Sequence, residues 1–231
     1  VPTNHLTAAG NYISAKRPKV VVCIGDFADM PSLNTHVVKG SLELENARYA
    51  EDIESVRAGM DLLMKAIRTD KNYKPELYLT LGNHEDRITR TIAVEPKLTG
   101  VINLKQLGYE EAGWKVSPFL QPVSVDGVMY SHYFPSGVMG RPISKASRIL
   151  SIYHQSCFAG HQQGRDIAYA RKVDGTTLTA IIAGSFYQHE EPYLNAVTNS
   201  HWRGIYMLNE VVNGSFDECA ISLSFLLKKY L

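Results

Sequence analysis

Cysteine is scarce in this chain, three in 231 residues, and Cys23, Cys157 and Cys219 are odd in number and far apart. That excludes a disulfide scaffold and points to buried thiols in a reduced, cytoplasmic protein. An excess of one charge is missing too: 24 Lys and Arg stand against 23 Asp and Glu, a net charge of +1. Bulk electrostatics therefore cannot hold the protein on nucleic acid or on an anionic membrane, and an anionic ligand must be caught locally. The longest aliphatic runs, such as Val20 to Ile24, are about five residues, against the roughly 20 that cross a bilayer. No internal repeat, low-complexity tract or Ser/Pro-rich linker divides the chain. Val1-Pro2 opens it without a Met and without a basic segment leading into an apolar one.

What is present is ordinary globular material, 45% hydrophobic and 20% charged with 17 Gly and 10 Pro. At this length a single domain over 1–231 is expected. Thr3 to Lys16 carries Leu6, Ala9 and Ile13 on one helical face and stops before Pro18. Val20 to Ile24 reads as a strand buried on both faces, closed by Gly25-Asp26. From Glu43 to Arg68 apolar residues recur at spacings of three and four, predicting a long amphipathic helix. Leu77 to Leu81, Val128 to His132 and Cys157 to His161 are short apolar runs, with a helix predicted over Ser144 to His154. Asp174-Gly175 and Asn213-Gly214 each sit between runs of period two, so the C-terminal third reads as antiparallel hairpins, the last strand covering Phe216 to Phe225. The loops Met30 to Gly40 and Gly137 to Pro142 read as rims over a site.

Four strand ends carry polar residues: Asp26, Asn83 in Gly82-Asn83-His84-Glu85, His132, and His161. Singly each has a bland explanation, a turn carboxylate, a turn amide, or a satisfied half-buried histidine. Together they lie where open α/β sheets place their ligands. One carboxylate, one amide oxygen and two imidazoles form a mixed O/N shell suited to Mn²⁺, Fe or Zn²⁺ rather than Ca²⁺.

In order along the chain, Gly25-Asp26-x-x-Asp29, Gly82-Asn83-His84-Glu85, a lone His132 after a strand, and Gly160-His161-x-Gln163 resemble the calcineurin-like metallophosphoesterases, particularly small bacterial and bacteriophage members. The resemblance spans essentially the whole chain. It implies an α/β fold: a four-layer α-β-β-α sandwich of two mixed sheets flanked by helices, with the site at the C-terminal ends of the strands. It implies that Asp26 bridges two metals and that Asn83, His132 and His161 complete the shell of the second. His84 would be a non-ligand general acid at the substrate phosphate, making His84 and Asp26 the catalytic pair. Asp29 would orient the loop around Asp26, and Glu85 or Asp86 would stand behind the ligands. Arg87 and Arg141, with Arg90 and Arg165 as further candidates, could clamp phosphate oxygens.

The chain departs from that pattern at one metal. The family's first Asp-x-His motif is absent, so a first strand is expected upstream of Val1, and Gln163 stands where the family has its last histidine. An amide oxygen is the weaker ligand there, which leaves one or two ions per chain. The expected cofactor is Mn²⁺, with Fe, Zn²⁺, Mg²⁺ or Ni²⁺ as alternatives. The expected activity is hydrolysis of a phosphomonoester or phosphodiester, a nucleotide or nucleic acid among the candidate substrates, by a dinuclear site that activates a hydroxide nucleophile. The competing expectation is a non-catalytic metal-binding interaction domain of the same fold, favoured by Gln163 and opposed by His84.

Overall fold

A computed structural model describes residues 3–35, 45–189 and 201–231. Helix α1, Asn4–Lys16, ends where Arg17 turns into the left-handed region at φ 52° and its N–H meets the Ile13 carbonyl, one residue before Pro18 forbids continuation. Strand β1, Val20–Cys23, follows, then α2, Tyr49–Ile67, and β2, Glu76–Thr80. Next come α3, Asp86–Val94, and β3, Lys115–Ser117, neither of which the sequence pattern announced. Strands β1, β2 and β3 form a three-stranded parallel sheet in that order.

The chain then lays down β4, Val123–Val125, and β5, Val128–Ser131. A small ribbon of β6, Pro135–Ser136, and β7, Arg141–Pro142, precedes α4, Ala146–Tyr153. Strands β8, Cys157–Ala159, β9, Arg165–Arg171, and β10, Thr177–Ala183, complete a five-stranded mixed sheet of order β4-β5-β8-β10-β9. Its centre, β5-β8-β10, is parallel, and both edges are antiparallel. Strands β11, Gly204–Val212, and β12, Ser215–Ser222, make a separate two-stranded hairpin, and α5, Leu223–Tyr230, closes the described chain.

Apolar packing follows the sheets. Ala9 of α1 and Val56, Met60, Leu63 and Ile67 of α2 share one core with Leu77 and Leu79 of β2. Ile149 and Leu150 of α4 pack with Cys157, Ala180 and Ile182. A third cluster sets Val22 and Ile24 against Val128, Tyr130, Phe158 and Ile181 of the five-stranded sheet. The chain is thus an α/β protein with open sheets, and no helix among the described residues is long and apolar enough to cross a membrane.

Several expectations are corrected. All four residues of β1 are only half-buried, because among the described residues β1 is paired on one side alone. The long helix begins at Tyr49 and not at Glu43; Glu43 and Leu44 lie outside the described residues, as do 36–40 of the expected rim loop. The last strand stops at Ser222, whose hydroxyl accepts the Phe225 N–H and caps α5, so Phe225 is helical. Both C-terminal hairpins are antiparallel as expected, but that third is not purely antiparallel, since β10 also pairs in parallel with β8. Of the thiols expected to be buried, only Cys157 is so; Cys23 is half-buried and Cys219 exposed, on a hairpin covered unevenly.

Where α1 crosses α2, a Cβ built on Gly10 would stand 2.5 Å from the Ala66 Cβ and 2.7 Å from the Leu63 carbonyl oxygen. Gly10→Ala gains about 1 kcal/mol of helix propensity in isolation. Prying two packed helices apart costs about 1–3 kcal/mol, so the net change expected in urea unfolding is destabilisation. A more stable variant would refute this packing.

Candidate metal centre

Parallel strands deliver the polar residues to one end of the two sheets. Asp26 follows β1, Asn83 follows β2, His132 is the residue after β5, and His161 lies two residues past β8. Asp26 and His161 both adopt left-handed backbone, φ 53° and 63°, which turns each side chain off its strand axis. The turns that carry Asp26 and Asn83 are pressed together. A Cβ on Gly82 would lie 2.1 Å from Asp26 Oδ1, and one on Gly25 would lie 2.6 Å from the Gly82 nitrogen, so neither position tolerates a side chain.

His132 is 1% exposed. Its Nδ1 is 2.9 Å from the Ile24 carbonyl oxygen, which can only accept, so Nδ1 carries a proton and donates. On the other side of the ring, Nε2 faces Asn83 Oδ1 at 2.9 Å, Asp26 Oδ2 at 3.2 Å and His161 Nδ1 at 3.2 Å. His161 Nδ1 is itself 2.9 Å from Asn83 Oδ1. Four side-chain atoms able to present a lone pair, one each from Asp26, Asn83, His132 and His161, thus face one another across a small space. Asp26, His132 and His161 each offer one ligand atom within 4.8 Å of the others, and the Asn83 amide oxygen adds a fourth.

Burial opposes ionisation of Asp26, but the hydrogen bond and charge of His132, with His84 adding to them, hold its carboxyl below the ordinary value. Burial also opposes charge on His132, and pairing with Asp26 outweighs it, raising the imidazole. His161 is pushed down by burial and by the neighbouring His132. The Tyr133 ring stacks obliquely over His161 with centroids 5.0 Å apart.

His84 stands at the rim with Nε2 3.9 Å from Asp26 Oδ2 and Nδ1 2.9 Å from Asp29 Oδ1. That contact with His84 holds the Asp29 carboxyl below its usual range. Glu85, fully buried, accepts from the backbone N–H groups of Asp26 at 3.0 Å, Ala28 at 2.9 Å and Gly82 at 2.8 Å, and from the Tyr109 hydroxyl at 3.0 Å. Burial, reinforced by the Asp26 carboxylate, pushes the Glu85 carboxyl up against those backbone donors. Asp86 pairs with Arg90, which also donates to the Asn83 carbonyl at 3.0 Å.

The remaining arginines are placed differently from one another. Arg87 is buried and donates to the carbonyls of Asp29 and Met30. Arg141 is exposed in the β6–β7 ribbon, and Arg165 lies over the Trp202 ring at 4.7 Å. Gln163 is half-buried, with its backbone carbonyl oxygen 3.3 Å from where a Gly184 Cβ would stand. Sequence reading did not single out Tyr109, whose hydroxyl is the side-chain donor to Glu85; nothing in Gly108-Tyr109-Glu110 signals it. No protein-family model matches the chain, and no curated protein matches it.

Glu85→Gln keeps shape but turns an amide N–H₂ toward backbone donors. A loss of about 2 kcal/mol or more is expected in denaturant unfolding, because buried donors would lose their acceptor. Wild-type stability in that variant would show that the Glu85 bonds contribute little.

Proposed function

We propose that the chain is a metal-dependent phosphoesterase of the calcineurin-like type, hydrolysing a phosphomonoester or phosphodiester. The observation that carries this reading is the crowd of electron-pair donors, Asp26 Oδ2, Asn83 Oδ1 and His161 Nδ1, around His132 Nε2 at 2.9 to 3.2 Å, with a further imidazole at its rim. Spacings of that size suit neighbours on one ion whose bonds are about 2.1 Å. Mixed oxygen and imidazole donors favour Mn²⁺, then Fe, Zn²⁺, Mg²⁺ or Ni²⁺. The layered packing described above supports the finer fold reading, a four-layer α-β-β-α sandwich, with α1 and α2 outside one sheet and α4 outside the other. Three free cysteines fit a reducing, cytoplasmic setting.

A bound divalent ion supplies Lewis-acid charge to a phosphoryl oxygen and lowers the pKa of water. The chain's own residues do the rest. Ile24 fixes the His132 ring so that Nε2 points into the site. Arg90 restrains the Asn83 backbone. Asp26 contributes negative charge at the centre, and its Oδ1 accepts the His84 N–H at 3.0 Å, holding the next turn in register. His84, outside the donor cluster but facing it, passes a proton to the leaving oxygen through Nε2. Phosphate esters with a free nucleotide or polynucleotide leaving group are the substrates to try alongside chromogenic ones.

After chelation, activity on a chromogenic phosphodiester or monoester should vanish and return with Mn²⁺. Chelator-resistant turnover would refute the proposal. His84→Ala should lower turnover by about 10²-fold or more with Mn²⁺ content unchanged, whereas His132→Ala should lose the metal. Binding without turnover at any divalent ion would favour the non-catalytic alternative.

The pH dependence has a definite sign. Without a cation the His132 proton is held by Asp26, so its stabilising effect is present at low pH and lost as pH rises through the raised His132 pKa. A cation must displace that proton. Apparent Mn²⁺ affinity should therefore climb between about pH 5.5 and about pH 8. A flat affinity over that range would exclude His132 as a ligand.

A further inference from the structure

Arg87, the second residue of α3 and close behind the His84 turn, is a candidate phosphate clamp on sequence grounds. Its side chain is only 9% exposed. Nη1 donates to the Asp29 carbonyl at 2.7 Å and to the Met30 carbonyl at 3.2 Å. Nη2 lies 3.3 Å from His84 Nε2. A guanidinium has only donors, so His84 Nε2 meets it with a lone pair. The imidazole proton then sits on Nδ1, where Asp29 Oδ1 accepts it at 2.9 Å.

We propose that Arg87 is a positioning residue: its buried guanidinium ties the Asp29-Met30 turn to His84 and selects the Nδ1–H tautomer. His84 Nε2, the nitrogen facing Asp26, is left as the atom that takes up and passes on a proton. The assignment rests on the phosphoesterase reading only for what the tautomer is used for. A further feature agrees with a constrained turn: Met30, which lies between the two accepting carbonyls, is left-handed at φ 53° and only 1% exposed. A lysine could not reach those carbonyls and the ring together, because it has one nitrogen rather than a fork.

The test reads the ring nitrogens directly. Long-range ¹H–¹⁵N spectra of the full chain at about pH 8, above the ordinary imidazole range, should show neutral His84 as the Nδ1–H tautomer. An Nε2–H tautomer in the wild-type protein overturns the proposal. Arg87→Met should shift His84 toward Nε2–H, and an unchanged tautomer in the folded variant also overturns it. If Arg87→Met does not fold, Arg87→Lys keeps the charge without the fork and should give the same shift; no shift there overturns the proposal. In Mn²⁺-supported turnover of the chromogenic ester, either variant should lose about tenfold in kcat with KM nearly unchanged. A raised KM at constant kcat would mean a phosphate clamp and overturn the positioning role. Absent turnover in the wild type would sink the phosphoesterase reading, while the wild-type tautomer would still decide the Arg87 assignment.

Discussion

A buried carboxylate holds two turns of the chain together at the base of the site. Glu85 lies at the start of α3, yet its oxygens reach across to the N–H groups of Asp26 and Ala28 after β1 and back to Gly82 after β2. Each of those donors sits in a turn with no strand partner, so without Glu85 they would be buried and unpaired. Tyr109 adds a fourth hydrogen bond from a distant loop. The close approach this enforces leaves no room for a Cβ at Gly25 or Gly82. Asp26 and Asn83 meet because their backbones are locked, and their side chains inherit the register.

His132 does the same between the sheets. Its Nδ1–H goes to the Ile24 carbonyl just past the end of β1, while its backbone extends β5 of the other sheet. Beneath it, Val22 and Ile24 pack with Tyr130 and Phe158, so the apolar contact and the hydrogen bond brace the same junction. The charge balance of the cluster depends on this geometry. Their pairing holds the Asp26 carboxyl below and the His132 imidazole above its ordinary value, and a divalent cation would compete for the same electron pairs. Around this centre the outer residues divide by task, with Asp29 and Arg87 on opposite nitrogens of His84 and Arg90 on the Asn83 backbone.

Local pattern was enough to find α1, because Leu6, Ala9 and Ile13 share a face and Pro18 ends it. The hairpin turn at Asp174-Gly175 and the strands leading to His132 and His161 were legible for the same reason, since spacing and turn chemistry are properties of neighbouring residues. The short β3 and β4 were not, because three-residue strands carry too little periodicity. Phe225 read as strand although Ser222 caps a helix there, since an apolar run is ambiguous until its packing is known.

For the site, the sequence by itself determined the chemical inventory and its order: a carboxylate, an amide and two imidazoles at strand ends, with His84 beside Asn83. Only the tertiary structure decided that these side chains converge, that Tyr109 supports Glu85, that β1 pairs on one side alone among the described residues, and that Arg87 faces inward to His84 while Arg141 stays exposed. The reason is physical. Residue type and spacing fix what a segment can donate and which way it repeats. Which donors share a point in space is set by contacts such as Glu85 to Asp26 and His132 to Ile24, whose partners lie far apart along the chain.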